Sequence, residues 1–127
     1  MDKPKKKILV VDDEVRFTRL LKLNLEQTNA YEVQTEHDSQ AALETAERFR
    51  PDLILLDVMM PELDGGELAT QLTRHPKLKT VPIVFLTAAV EKHEVSARQG
   101  IIGGLPFIAK PIELNELIQC LEKHLHP

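Results

Sequence analysis

Several short aliphatic segments of this sequence end in side chains that could hold a metal ion and a phosphoryl group. The end positions carry three carboxylates, a hydroxyl and an ammonium group, in the order Asp12, Asp13, Asp57, Thr87 and Lys110. Carboxylates brought close together repel one another unless a cation neutralises them. Hard oxygen ligands without thiolate or imidazole nearby favour Mg²⁺, which takes one or two carboxylates plus a phosphate oxygen. If the fold gathers these groups, we expect a magnesium site where Lys110 and Thr87 contact the phosphoryl oxygens.

The aliphatic segments alternate with amphipathic ones, which is typical of a parallel sheet covered by helices. The predicted strands span residues 6–11, 31–36, 52–58, 81–87 and 105–110. Three of them contain ILVV, LILL and IVFL, which are apolar without alternation, as expected of central strands buried on both faces. The strand YEVQTE alternates and the last strand contains Pro106, so these two are predicted to lie at the edges.

Apolar residues at helical spacing separate the strands. The positions that mark the first, second and fifth helices are Phe17, Leu20, Leu21 and Leu25, then Ala42, Ala46 and Phe49, then Leu114, Leu117, Ile118, Leu121 and Leu125. The second helix has Asp38 or Ser39 as its candidate N-cap, and Arg50-Pro51 is predicted to end it. The third and fourth helices are predicted at residues 66–75 and 91–99.

Together these elements predict a single α/β domain over residues 1–127, with residues 1–6 as a basic leader. Five strand–helix units with right-handed crossovers fit a (βα)5 three-layer sandwich with the parallel order 2-1-3-4-5, the flavodoxin-like arrangement. The carboxyl ends of parallel strands lie on the same side of the sheet, where open α/β sheets bind their ligands. The chemical groups at the strand ends are therefore expected to share one cleft.

Composition argues against several classes of protein. The net charge of −4 disfavours a direct nucleic-acid binder, and the lysines near the N-terminus are interpreted as a solvated leader. No secretory signal or apolar run of membrane-spanning length is present. Cys120 is the only cysteine, so no intramolecular disulfide can form and a cytoplasmic setting is expected. The five histidines lack metal-ligand spacing.

Four segments of the sequence resemble the receiver domain of two-component response regulators, of the chemotaxis-type single-domain kind. They are DDE at 12–14, LLDVMMPELDGGEL at 55–68, FLTA at 85–88 and FIAKPI at 107–112. The resemblance implies a phosphorylation-activated signalling switch in a phosphorelay. In such a switch Asp57 accepts a phosphoryl group from the phosphohistidine of a sensor histidine kinase or histidine phosphotransfer protein, or from acetyl phosphate. The resemblance also implies that the chain is not an enzyme and catalyses only its own phosphoryl transfer and dephosphorylation.

The resemblance also implies a role for each residue near the acceptor. Mg²⁺ would be bound by Asp13, Asp57 and the backbone carbonyl of Met59, with Asp12 acting mainly through water. The other implied roles are a hydrogen bond from Thr87 to the phosphoryl group, an ion pair from Lys110, a switch aromatic at Phe107 and a cis Lys110-Pro111 peptide. An output partner or domain would bind the face formed by the fourth helix, fifth strand and fifth helix, with the chain a monomer or a phosphorylation-dependent dimer.

Two features depart from the family pattern. The segment Gly103-Gly104-Leu105-Pro106 stands where Gly-Ala-Asp and a polar residue are common, and with Ile101 and Ile102 it is expected to cover the core more than to form an interface. The side chains of Met59 and Ala89 cannot orient a water by hydrogen bonding. The phosphoryl group is therefore expected not to be unusually short-lived.

Three other classes of protein share parts of these motifs. A P-loop hydrolase would need a G-x-x-x-x-G-K-[ST] loop, which the sequence lacks. A phosphatase with an aspartyl-phosphate intermediate would resemble a D-x-D pair, whereas Val58 and Met59 follow Asp57. A phosphorylation-independent docking module on the same fold is the remaining alternative. Whether the chain is a stand-alone receiver or a module of a larger regulator or hybrid kinase stays open, as do the kinase and the output pathway.

Overall fold

The computed structural model describes residues 4–58, 65–87, 101–102 and 105–125, without the side chains of residues 65, 87, 101, 102 and 105. The elements in these ranges are β1 (Lys6–Val11), α1 (Val15–Glu26), β2 (Tyr31–Glu36), a 3₁₀ turn (Ser39–Ala41), α2 (Ala42–Phe49), β3 (Leu53–Asp57), α3 (Gly65–Arg74), β4 (Ile83–Thr87), β5 (Ile101–Ile102), β6 (Leu105–Ala109) and α4 (Leu114–Leu125). Helix α4 is the fifth predicted helix. The predicted helix at 91–99 lies outside the described residues.

The strands form one sheet in the order β2-β1-β3-β4-β6-β5. The pairs from β2 to β6 are all parallel, which confirms the predicted order of the five main strands. Strand β2 lies at one edge, as expected. The prediction that the strand containing Pro106 forms the other edge was wrong, because Ile101 and Ile102 of β5 pair with it in antiparallel register. A strand of two residues is too short to produce a period-2 pattern, so β5 could not be predicted from the sequence.

Alternate residues of each strand pack on opposite faces of the sheet, as strand geometry requires. Leu9, Leu56 and Phe85 belong to one core, which the sheet shares with α2 and α3. Val10 and Leu55 belong to the other core, which the sheet shares with α1 and α4. The central strands are therefore covered on both sides, and the three-layer sandwich predicted from their unbroken apolar runs is confirmed.

Both ends of α2 are defined by local chemistry. Asp38 Oδ1 accepts a hydrogen bond of 2.9 Å from the Gln40 N–H, so this side chain caps the 3₁₀ turn that leads into the helix. At the other end Arg50 adopts a left-handed conformation with φ 55° and ψ 62°. The α region is disfavoured before proline, and Pro51 follows Arg50, so the helix ends where the sequence predicted.

Candidate functional site

The register of β1 and β3 brings two of the predicted carboxylates together. Val11 is paired with Leu56, and the next residues are Asp12 and Asp57. The backbone N–H of Asp12 donates to Glu36 O at 3.0 Å, which keeps this strand end attached to β2. Asp57 closes a strand whose five residues are all buried. Both carboxylates are thus fixed at the carboxyl end of the sheet by backbone pairing, with little freedom to move apart.

Strand alternation also explains why the acidic and basic groups share one face. Asp12 lies two residues after Val10, Asp57 two after Leu55, and Lys110 two after Ile108, and these three apolar residues pack in the core beneath α1 and α4. Residues two apart on a strand lie on the same face. The three functional side chains therefore lie on the same face of the sheet as these core residues, at the carboxyl ends of the strands.

Asp12, Asp13 and Asp57 each offer a carboxylate oxygen within 4.8 Å of the others. Asp12 is 0% and Asp57 4% exposed, whereas Asp13 is exposed. Buried carboxylates this close need a compensating cation. All three donors are hard oxygens, and the open side at Asp13 leaves room for the waters that Mg²⁺ retains. The arrangement fits the predicted magnesium ion.

Lys110 supplies a positive charge beside this cluster. Its Nζ lies 2.7 Å from Asp12 Oδ2, 2.7 Å from Glu14 Oε1 and 3.9 Å from Asp57 Oδ2. Burial lowers the pKa of Lys110, but its close contacts with Asp12 and Glu14 and the nearby charge of Asp57 outweigh burial and raise that pKa above the ordinary lysine value of 10.5. The side chain therefore remains an ammonium group. No hydrogen-bond donor among the described residues is aligned on Asp12 Oδ2, so the ion pair is its main compensation.

Two residues at the start of α1 contact Lys110 and were not identified from the sequence. One is Glu14, whose carboxylate shares the ammonium with Asp12. The other is Phe17, whose ring centroid lies 4.4 Å from Lys110 Nζ, within range of a cation–π interaction. Both line a cavity of about 440 Å³ beside α1, together with Leu20, Leu21, Asn24, Lys110, Pro111 and Ile112. Glu14 follows the acidic pair directly, but the sequence could not show that a lysine so distant in the chain would be its partner.

The remaining predicted site residues are described only in part. Thr87 is the last residue of β4 and is paired with Ala109, which places its backbone one residue from Lys110 across the strands. Phe107 is 8% exposed and packs in the core beneath α2 and α3. The Lys110-Pro111 peptide is cis, which confirms that expectation. Met59, Ala89, Gly103 and Gly104 lie outside the described residues.

None of the described helices combines the length and the apolar composition that a membrane span requires.

Residues 8–122 match the family model of the response regulator receiver domain. The alkaline phosphatase synthesis transcriptional regulatory protein PhoP of Bacillus subtilis is 46% identical over 113 residues, which cover 88% of this chain and 45% of that protein. The transcriptional regulatory protein SrrA of Staphylococcus aureus is 40% identical over 112 residues, or 87% of this chain and 44% of that protein. The chain thus spans about half the length of these curated relatives.

Solved structures agree with these matches. The chemotaxis protein CheY4 of Vibrio cholerae has a TM-score of 0.80 and 28% identity, covering 95% of this chain and 99% of that one. The receiver domain of a sensor histidine kinase from Pseudomonas aeruginosa PAO1 has a TM-score of 0.82 and 27% identity, covering 98% of this chain and 100% of that one. That second structure has a magnesium ion coordinated in its active site cleft.

Proposed function

The chain belongs to the response regulator receiver domain family of two-component systems, and from this premise we propose that Asp57 is its phosphoacceptor. The phosphoryl donor is the phosphohistidine of a sensor histidine kinase or of a histidine phosphotransfer protein, and acetyl phosphate can replace it. The reaction depends on Mg²⁺. The observation that carries the proposal is the position of Asp57, buried among two other carboxylates and 3.9 Å from the Lys110 ammonium.

In the transfer a carboxylate oxygen of Asp57 attacks phosphorus as the phosphorus–nitrogen bond of phosphohistidine breaks. The bond's electron pair leaves with the imidazole nitrogen, and the product is an acyl phosphate. Such transfers pass through loose, in-line transition states in which positioning and charge neutralisation supply most of the catalysis. Asp57 meets the first requirement because the backbone of β3 fixes it in a fully buried strand.

Several residues around Asp57 contribute to the second requirement, charge neutralisation. Asp13, Asp57 and the Met59 carbonyl would hold Mg²⁺, with Asp12 acting mainly through water, and the bound ion would supply positive charge that neutralises the phosphoryl group. Lys110 forms an ion pair with the phosphoryl group, for which its ammonium state is suited. Thr87 donates a hydrogen bond to another phosphoryl oxygen.

Phosphorylation of Asp57 then changes the equilibrium between two conformations of the domain. Thr87 moves toward the phosphoryl group, and Phe107 reports that movement to the surface. A partner or output domain receives the signal at the face formed by the fourth predicted helix, the last main strand and the last helix. The protein is a signalling domain of the cytoplasm, active as a monomer or a phosphorylation-dependent dimer. Its only catalysis is its own phosphoryl transfer and dephosphorylation.

The test is incubation with Mg²⁺ and acetyl phosphate, followed by intact mass measurement. The wild type should gain one phosphoryl group, and Asp57→Ala should gain none. Decay of the adduct at neutral pH should take longer than seconds, since neither Met59 nor Ala89 can orient a water. If neither acetyl phosphate nor a panel of histidine kinases gives an adduct, the phosphorylation-independent docking module becomes the better explanation.

A further inference from the structure

The contacts of Lys110 assign a role to Glu14 that goes beyond the acceptor and metal sites. The Lys110 ammonium is 2.7 Å from carboxylate oxygens of both Asp12 and Glu14 but 3.9 Å from Asp57. The last distance exceeds that of a charge-assisted hydrogen bond. An ion pair between Lys110 and a phosphoryl group on Asp57 would therefore compete with the contacts that the ammonium makes with Asp12 and Glu14.

Glu14 is the contact that can be released at lower cost. The Asp12 side chain is 0% exposed, whereas the Glu14 side chain is 62% exposed. Water replaces a lost partner at an exposed carboxylate, while a buried carboxylate that loses its partner keeps the full desolvation cost. When Lys110 moves toward Asp57, loss of its contact with Glu14 therefore costs less free energy than loss of its contact with Asp12.

Among the described residues, no other contact competes with Lys110 for the Glu14 carboxylate. Glu14 is the N-cap residue of α1, and its side chain makes no capping hydrogen bond to the helix. Its backbone N–H donates to Asp12 Oδ1 at 2.9 Å, which fixes the residue beside the acidic cluster. Within the described part of the chain, the Glu14 carboxylate forms a hydrogen-bonded ion pair with Lys110.

We propose that Glu14 is a positioning residue that holds Lys110 away from Asp57 before phosphorylation and gives it up when the phosphoryl group arrives. This inference rests on the proposed phosphoacceptor role of Asp57. Glu14 acts through Lys110 and does not contact the reacting atoms. It makes the resting domain slower to accept a phosphoryl group than it would be with a free Lys110.

The first test is the rate of phosphorylation by acetyl phosphate, with Mg²⁺, in Glu14→Gln. An exposed ion pair is worth little, so the expected gain in rate is about twofold to fivefold. Glu32→Gln is the matched control, because Glu32 is an exposed glutamate on β2 near the opposite end of the sheet. It removes the same charge and should leave the rate unchanged. An unchanged rate in Glu14→Gln contradicts the proposal.

The second test separates the ion pair from general repulsion between Glu14 and an anionic donor. Glu14→Asp keeps the charge but shortens the side chain by one methylene, so it should resemble Glu14→Gln if reach to Lys110 matters. If charge alone matters, it should resemble the wild type. In a Lys110→Gln background the effect of Glu14→Gln should disappear, and a gain that persists there overturns the proposal.

A third measurement does not depend on phosphorylation. The Nζ resonance of Lys110 in ¹⁵N-labelled protein should show slower proton exchange in the wild type than in Glu14→Gln, and the same exchange in Glu32→Gln. Failure of this inference and failure of the proposed function give different experimental results. A wild type that never gains a phosphoryl group removes the proposed function, whereas normal phosphorylation with no effect of Glu14 substitution removes only this inference.

Discussion

One aspartate precedes β3 and another is its last residue, and the same residue type has a different environment at each end of the strand. Asp52, at the amino end, is exposed, and its Oδ2 accepts a hydrogen bond of 2.7 Å from the Lys7 N–H. Its own N–H donates to Lys7 O at 2.7 Å, so Asp52 fastens β3 to β1. Asp57, at the carboxyl end, is 4% exposed and faces two carboxylates and an ammonium group.

The difference shows how a parallel sheet separates structural from chemical work. At the amino end the carboxylate satisfies a backbone donor and stays in water, where charge costs little. At the carboxyl end several strands deliver side chains to one place, and burial makes each charge depend on its neighbours. Four substitution experiments test this contrast.

The largest difference is expected in the response to Mg²⁺. A metal present at about 100 times its Kd stabilises the folded state by about 2.7 kcal/mol if it binds only that state. Thermal unfolding should therefore show Mg²⁺ raising Tm of the wild type and of Asp52→Asn. Asp57→Asn should lose most of the increase, because one of three clustered carboxylates is gone. Equal increases in the two variants would mean that the ion binds elsewhere.

The two lysines give the next contrast, measured as free energy of unfolding in denaturant without metal. Lys110→Gln leaves Asp12, which is 0% exposed, without its cation, and the expected loss is about 2 kcal/mol. Lys7→Gln removes a hydrogen bond from Nζ to Phe49 O and a cation–π contact, and should cost about 0.5 kcal/mol. Losses of the same size in both variants would remove the distinction between the two ends.

The pKa of Lys110 fixes the pH dependence of this loss. Since that pKa is raised in the folded state, the stabilisation is fully present below the ordinary lysine value of 10.5 and disappears as pH rises through the raised value. The stability gap between wild type and Lys110→Gln should be constant near neutral pH and close only in alkali.

A smaller loss is expected at the amino end of β3. Asp52→Ala removes the acceptor of the Lys7 N–H, and because the site is exposed the cost should be about 0.5 to 1 kcal/mol of unfolding free energy. Phosphorylation by acetyl phosphate should proceed at the wild-type rate. A variant with normal stability but slowed phosphorylation would show that Asp52 influences the acceptor at a distance.

The smallest effect concerns Tyr31, at the amino end of β2. Burial, and then the charge of Glu122, raise the pKa of Tyr31 above 10.0. Tyr31 is the only tyrosine and the chain has no tryptophan, so ultraviolet titration follows this group alone. We expect a midpoint above that of free tyrosine and a small decrease in Glu122→Gln. Stability linked to Tyr31 is present below pH 10 and falls as pH rises through the raised pKa.

The parts of the fold that the sequence predicted are those with a repeated signal. Unbroken apolar runs identified the central strands, and the polar residues at the ends of the predicted strands identified Asp12, Asp57 and Lys110 as neighbours, since parallel strands end on the same side. The cis peptide before Pro111 followed from the family resemblance rather than from any pattern in the residues.

The missed features depend on single contacts between distant residues. Strand β5 has only two residues and no periodicity, so the sequence predicts a free edge at Pro106 where the structure has a paired strand. Glu14 carries no signal for its pairing with Lys110, because its exposed side chain reaches that lysine only after β1 and β6 are in place in the sheet. Such contacts can be identified only from the tertiary structure.

One strand also joins the two halves of the interior. Phe107 packs beneath α2 and α3, while Ile108, the next residue of β6, packs beneath α1 and α4. Lys110 continues the same strand into the acidic cluster. A shift of β6 along its axis must therefore be accommodated by side-chain packing in both cores at once. A change at Asp57 that moves β6 would therefore alter the packing on both faces of the sheet.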